Sequence, residues 1–180
     1  MRRTFACALL GLWILSLTAC QNTDRNYVTP NLTAQSAAII TGSKSHNPDP
    51  TATDTRVYLV SIDDKLTLDG PFGWDHRTIV VPGTHMIQLG VSRTKLFYKA
   101  FGFGQIQVTL EAGKTYVLRA TEPVTTAPNC ARSTGWIESD DGTPIGDKVS
   151  VMVATNTGGE IPIAGGGFVT IPSRTNCPPQ

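Results

Sequence analysis

Histidines, paired carboxylates and serines are the residues of this chain that could do catalytic or metal chemistry. The three histidines, His46, His76 and His85, have no spacing typical of a zinc site. The acidic pairs Asp63-Asp64 and Asp140-Asp141 fit solvated turns, because adjacent residues of an extended chain point to opposite faces. No serine lies in a Gly-X-Ser-X-Gly motif. We therefore expect no catalytic residue, no metal site and no cofactor.

The N-terminus combines a basic start, an apolar run and a cysteine in a set order. Arg2 and Arg3 precede an apolar run from Phe5 to Leu17, which is typical of an export signal. The run has roughly 13 residues, whereas a membrane-spanning helix needs roughly 20. The segment Leu17-Thr18-Ala19-Cys20 that follows resembles the lipobox of bacterial lipoprotein precursors.

This resemblance implies that residues 1–19 are removed as a signal peptide and that Cys20 is lipidated. The thiol would receive a diacylglyceryl group and the freed amine a further acyl chain, and stable membrane attachment needs more than one chain. Gln21 stands where an aspartate would resemble an inner-membrane retention signal. We expect an outer-membrane lipoprotein facing the periplasm, in preference to the inner membrane or the cell surface. The alternative is an ordinary secretory signal in which Cys20 has no role.

Two further cysteines lie in the body of the chain. Of the four cysteines, Cys7 would leave with the signal and Cys20 would be acylated, so Cys130 and Cys177 would remain in an oxidising compartment. We expect them to form a structural disulfide that closes a loop of about 48 residues, for which chain entropy predicts about 4 kcal/mol of stabilisation. Two reduced thiols and a catalytic redox pair are the alternatives, but redox cysteines usually form a Cys-X-X-Cys motif.

The charge of the chain excludes one class of partner. Its formal net charge is +1, and removal of Arg2 and Arg3 leaves the mature chain at about −1. Nucleic-acid binding requires a basic patch, so we expect no nucleic-acid partner.

Aromatic side chains are the weak candidates for ligand binding. Trp74, His76 and Trp136 would line a site for a small ligand, such as a sugar or a peptidoglycan fragment, if they were exposed around a pocket. Core or rim positions explain the tryptophans equally simply. A concave pocket lined by these residues would favour ligand binding, and a flat surface would favour docking of a protein partner.

Short apolar runs separated by turn residues predict an all-β chain. His85, Ile87, Leu89 and Val91 alternate with more polar residues, as along a strand with one apolar face. Asp63-Asp64 and Asp140-Asp141-Gly142 are predicted hairpin turns. The apolar parity changes between the segment Phe97 to Phe103 and the segment Ile106 to Leu110, which predicts a bulge or break at Gly104. About seven or eight antiparallel strands favour a single β-sandwich, with a small barrel as the alternative.

Composition divides the chain into four parts. Residues 1–19 are the predicted signal peptide, and residues 20–36 are the lipidated N-terminus with a polar, flexible spacer. Residues 37–155 are the predicted β-sandwich domain, in which the stretch from Gly42 to Asp54 is a surface loop. Residues 156–180 form a tail rich in glycine and proline that the disulfide would tie down.

Two segments resemble a pattern of small uncharacterised bacterial lipoproteins. They run from Val81 to Leu89, with Pro-Gly-Thr-His, and from Leu110 to Leu118, with Ala-Gly-Lys-Thr-Tyr. The resemblance implies a transthyretin-like or PEGA-like β-sandwich that acts as a non-catalytic structural or protein-interaction module of the envelope. An unknown envelope protein would bind a sheet edge or the aromatic segment Phe97 to Phe103. The alternative function is the binding of a small ligand by the lipoprotein.

Overall fold

The computed structural model describes residues 25–46, 54–67, 69–95, 98–127, 130–155, 160–163, 167–170 and 177. Within these ranges the chain is all-β and has no helix, which confirms the predicted class. The strands are β1 (Ala38–Thr41), β2 (Ser43–Ser45), β3 (Thr55–Ile62), β4 (Lys65–Leu66), β5 (Thr78–Val80), β6 (Gly83–Lys95), β7 (Tyr98–Leu110), β8 (Thr115–Ala120), β9 (Val124–Ala127), β10 (Cys130–Ser139), β11 (Pro144–Thr155), β12 (Glu160–Ile163) and β13 (Gly167–Thr170).

A single curled, open sheet of 11 strands replaces the predicted pair of sheets. Its strand order is β2-β3-β6-β7-β11-β10-β8-β1-β5, with β4 beside β3 and β9 beside β10. The first strand of this order, β2, and the next-to-last, β1, are separated in the chain only by Gly42. The chain through Gly42 therefore draws the two margins of the sheet towards each other. The sandwich of seven or eight strands is not confirmed, and the open sheet is not a closed barrel.

The inner face of the curled sheet forms the core. The largest fully buried side chains are aliphatic: Ile40, Ile62, Ile87, Leu89, Ile106, Leu110, Leu118, Ile137, Val80, Val91, Val151 and Val153. Strands on opposite sides of the curled sheet pack against each other: a Cβ added at Gly135 of β10 would lie 3.0 Å from Leu89 Cδ1 of β6. The alternation predicted for β6 is confirmed, since Ile87, Leu89 and Val91 all face inward and are completely buried.

Strand β7 contradicts the predicted break at Gly104. It pairs with β6 in one uninterrupted register from Gly83↔Leu110 to Lys95↔Tyr98. The inward face does not change: Gly102 and Gly104 occupy it ahead of Ile106, and the half-buried Phe101 and Phe103 point outward. The glycines are needed where β11 approaches, since a Cβ at Gly102 would lie 2.5 Å from the Met152 carbonyl oxygen.

The two predicted hairpin turns are present. Asp63 and Asp64 have φ values of 49° and 63°, the left-handed conformation of a tight hairpin, and they join β3 to β4. Gly142 has a φ of 82° in the turn between β10 and β11. Asp141 Oδ1 accepts hydrogen bonds from Ser139 Oγ and the Thr143 amide, which lower the pKa of this exposed carboxyl to about 2.

Two segments predicted to be irregular contain strands. Strand β2 lies at the start of the predicted surface loop and pairs with β3; residues 47–53 of that loop lie outside the described residues. In the predicted tail, β12 and β13 form a separate two-stranded antiparallel sheet. Both departures involve strands of three or four residues, which are too short to show an alternating pattern.

Candidate functional site

The predicted lipidation site, Cys20, and the whole predicted signal peptide lie outside the described residues. The described chain begins at Arg25, whose carbonyl oxygen accepts a hydrogen bond from the Leu66 amide at 2.6 Å. Tyr27 then bonds to two strands, through its amide to the Leu66 carbonyl and through its hydroxyl to the Ile79 carbonyl. The predicted spacer therefore contacts the body of the protein from Arg25 onward.

Cys130 and Cys177 are joined as the sequence predicted, with a Cα–Cα distance of 5.6 Å. Cys130 lies on the outer face of the sheet at the start of β10, and its side chain is buried. The bond thus attaches a point close to the C-terminus to the outer face of the sheet.

Trp74 and His76 lie in the loop before β5. Trp74 is half-buried, and its carbonyl oxygen accepts a hydrogen bond from the Gly42 amide at 2.8 Å. His76 is exposed and pairs with Asp69, with 2.6 Å between His76 Nδ1 and Asp69 Oδ1. Thr78 Oγ1 donates to the other carboxylate oxygen of Asp69. Asp69 thus orients the imidazole, but no hydroxyl or thiol that could act as a nucleophile bonds to His76 within the described residues.

Trp136 lies on the outer face of β10 in a cluster of charged side chains. Its Nε1 donates to Glu138 Oε1 at 2.9 Å, and the Lys148 ammonium lies 5.1 Å from the ring centroid, a cation–π contact. Arg119 Nε donates to Glu138 Oε2 at 2.9 Å. Partial desolvation opposes ionisation of Glu138, but the hydrogen bonds from Trp136 and Arg119 outweigh it and lower the pKa of this carboxyl.

The structure does not bring the three predicted ligand residues together. Strands β8 and β1 lie between β10, which carries Trp136, and β5, which follows Trp74 and His76. With neighbouring strands about 4.8 Å apart, this places Trp136 about 14 Å from the β5 edge. An open surface depression of about 520 Å³ lies elsewhere, lined by Thr84, Gln107, Val108, Thr109, Ile145 and Gly146. Trp74, His76 and Trp136 are not part of its lining.

His85, at the Pro-Gly-Thr-His step, is a structural residue. Its Nδ1 lies 2.7 Å from Asp63 Oδ2 and its Nε2 lies 2.7 Å from the Val81 carbonyl oxygen. The same Asp63 carboxylate accepts a hydrogen bond from the Met86 amide. Desolvation opposes ionisation of Asp63, but the bonds from Met86 and His85 outweigh it and lower the pKa of the carboxyl. The histidine thus holds the β3–β4 turn against the start of β6.

A polar cluster that the sequence does not predict lies at the opposite end of the sheet. The Glu122 carboxylate accepts hydrogen bonds from Ser45 Oγ and from Thr55 Oγ1, the latter at 2.7 Å. Arg93 lies next to Thr55 at this end, and its Nε is buried without a hydrogen-bond partner in the described part of the chain. Distant segments supply these residues, so no local motif marks them. The hydroxyls and the carboxylate already satisfy one another.

The outer face of β3, β6 and β7 carries the described part of the predicted aromatic segment. Phe101 and Phe103 are half-buried there, whereas Phe97 lies outside the described residues. Phe103 pairs across β6 with Gly90, and Gly90 pairs with Tyr58 of β3. Burial raises the pKa of Tyr58, which is only 4% exposed although it lies on the outer face. These side chains form an aromatic strip across three strands.

Comparison with protein-family models, with curated proteins and with solved structures finds no match to this chain. The described ranges contain no helix with the length and apolarity that a membrane span requires. In the same ranges, no group of three or more His, Cys, Asp or Glu side chains is placed to hold a metal ion.

Proposed function

We propose that this protein is a lipoprotein of the bacterial envelope that acts as a non-catalytic structural or protein-interaction module. The anchor is lipid on Cys20 in the outer membrane, and the β-sheet body faces the periplasm. The order of basic residues, apolar run and Leu17-Thr18-Ala19-Cys20 supports the anchor. Acyl chains on one cysteine suffice for stable attachment without a hydrophobic helix.

The filled interior of the sheet is the observation that most supports an interaction role. Small-molecule sites are concave cavities with a few convergent polar groups. Here the inner face is occupied by fully buried aliphatic side chains from β1, β3, β5, β6, β7, β8, β10 and β11. The predicted ligand residues Trp74 and Trp136 stand on separate parts of the sheet, and Trp136 is engaged by Glu138 and Lys148. The outer face and the sheet edges are the surfaces that remain for binding.

Two outer surfaces suit a protein partner. Among the described strands β5 pairs only with β1, and the Tyr27 hydroxyl occupies the Ile79 carbonyl oxygen, so a partner that adds a strand beside Thr78–Val80 would displace Tyr27. In the aromatic strip, the half-buried Phe101 and Phe103 offer a side-chain type that is enriched at interfaces, whereas Tyr58 is buried. The sequence predicts docking at a sheet edge that it does not identify or at the segment Phe97 to Phe103, which contains two of these aromatic residues.

Photo-crosslinking in intact cells tests this function. A photoreactive amino acid is placed at Ile79 on the β5 edge, at Phe103 in the aromatic strip and, as a control, at the exposed Thr125 of β9. We expect one envelope protein to crosslink reproducibly from Ile79 or Phe103 and not from Thr125. Equal crosslinking from all three positions, or none from any, would contradict a specific interaction surface.

A further inference from the structure

Large apolar side chains are exposed mainly at one end of the sheet. The described residues include six exposed large hydrophobics, of which Phe72 and Val124 lie elsewhere. The other four are 72% (Val28), 36% (Leu66), 49% (Val81) and 39% (Met86) exposed. We call these four residues the apolar end.

Hydrogen bonds hold the apolar end together as one corner of the fold. Leu66 bonds through its backbone to Arg25 and to Tyr27, which directly precedes Val28. The Asp63 carboxylate accepts from the Met86 amide and also pairs with His85. His85 in turn lies 2.7 Å from the Val81 carbonyl oxygen. The apolar side chains therefore surround the β3–β4 turn and the start of β6.

The chain from the lipid anchor enters the body at this same corner. An extended chain spans at most about 3.6 Å per residue, so the five steps from Cys20 to Arg25 cover at most about 18 Å. A domain of this length is about 40 Å across. Leu66 bonds directly to Arg25. The distance from the apolar end to a bilayer that holds the lipidated Cys20 would therefore be smaller than the diameter of the body.

The charges beside the apolar end are mixed. Arg25 and Lys65 are exposed next to it, and Asp64 is exposed in the adjoining turn. The neighbouring Asp63 is paired with His85. With both signs present and no basic cluster, this corner is suited to a zwitterionic lipid surface, and apolar contact is the source of its attraction.

We propose that the apolar end rests on the lipid bilayer, with Val28, Leu66, Val81 and Met86 in the boundary between headgroups and acyl chains. This inference rests on the proposed lipidation of Cys20. It adds an orientation: the long axis of the curled sheet stands away from the membrane, and the opposite end, with Glu122 and Val124, faces the periplasm. The half-buried Phe101 and Phe103 of the aromatic strip then stay accessible to a partner.

Depth-dependent quenching of added tryptophans tests the orientation. The lipidated full-length product is reconstituted into phosphatidylcholine vesicles with and without bromine on the acyl chains. Leu66→Trp and Met86→Trp probe the apolar end, and Val124→Trp, an exposed apolar site at the far end, is the control. The emission of Trp74 and Trp136 is measured on the unsubstituted protein and subtracted.

We expect bromolipid to remove about half or more of the emission added at Leu66 and at Met86, because side chains at an interface enter it by about 5–10 Å. Emission added at Val124 should be unchanged. Equal quenching at all three sites, or none at the first two, overturns the orientation.

Mass spectrometry of the same protein sample distinguishes a failure of the orientation from a failure of the proposed lipid anchor. A protein that is acylated and bound to vesicles, yet unquenched at Leu66 and Met86, overturns only the orientation. A protein without acyl chains that stays out of the vesicle fraction overturns the proposed anchor, and the orientation with it.

Discussion

Gly102→Ala tests the close approach of strands β7 and β11. A Cβ at this position would lie 2.5 Å from the Met152 carbonyl oxygen and 2.7 Å from Val151 Cγ1. The oxygen belongs to the backbone of β11, so the clash is relieved only if β11 moves away from β7 near the Phe101↔Ala154 pair. Overpacking of this kind costs about 1–3 kcal/mol. Alanine also restricts the unfolded chain, which offsets about 0.4–1 kcal/mol.

We therefore expect Gly102→Ala to lower the free energy of unfolding by about 1–2 kcal/mol. Gly70→Ala is the matched control, because a Cβ there meets no atom within 4 Å and the residue has no positive φ. The control should be neutral or slightly stabilising. Urea unfolding followed by circular dichroism, with the disulfide intact and equal m-values, measures both variants. The reasoning is refuted if Gly102→Ala is as stable as Gly70→Ala.

Three further predictions concern the disulfide, the polar cluster and acid stability. Replacing Cys130 and Cys177 together by serine should lower the free energy of unfolding by about 4 kcal/mol. Reduction of the disulfide in the native protein should lower it by the same amount. An unchanged urea midpoint would count against a stabilising bond. Glu122→Ala should lower the free energy of unfolding by about 1–3 kcal/mol, because it leaves the fully buried Thr55 hydroxyl without its acceptor. Glu122→Gln keeps an acceptor oxygen and should lose less stability. Equal stability of the two variants would refute this. The pKa of Asp63 is lowered in the folded protein, so its contribution to stability is present above the unfolded pKa of about 3.9 and is lost as the pH falls through the folded pKa. The stability difference between the native protein and Asp63→Asn should therefore shrink below about pH 4. A constant difference from about pH 6 to about pH 2 would contradict the assignment.

The sequence predicts the strands whose side chains alternate clearly. Ile87, Leu89 and Val91 reveal the inward face of β6 because each buried position carries an aliphatic side chain. The Asp63-Asp64 turn is predictable for a similar reason, since aspartate tolerates the left-handed conformation found there. The Cys130–Cys177 pair was predictable by counting the cysteines that would remain after the predicted export and lipidation.

Positions where glycine fills a buried site carry no such signal. Gly102 and Gly104 face inward in β7, but the phenylalanines beside them face outward, so hydrophobicity alone assigns the wrong face to this part of the strand. The number of sheets is equally hidden, because it depends on the pairing of β7 with β11, which joins β2, β3, β6 and β7 to the remaining strands of the order. The failure of Trp74 and Trp136 to converge follows from strand order, which a single sequence does not encode in local patterns.

The exposed apolar end illustrates a further limit. Val28, Leu66, Val81 and Met86 are separated in sequence and are brought together by the backbone bonds of Leu66 to Arg25 and Tyr27 and by the contacts of Asp63 and His85. Their common feature is exposure, which depends on the assembled corner rather than on residue type. Its significance arises from its position next to Arg25, the first described residue after the predicted anchor.

The mass of the mature N-terminal peptide from the membrane fraction tests the central claim most directly. We predict a peptide that begins at Cys20 and carries acyl chains on both the thiol and the amine, with Cys20→Ala abolishing the modification and releasing the protein from the membrane. A mature chain that begins at another residue, or that carries an unmodified Cys20, would contradict the proposal that this protein is a lipid-anchored component of the envelope.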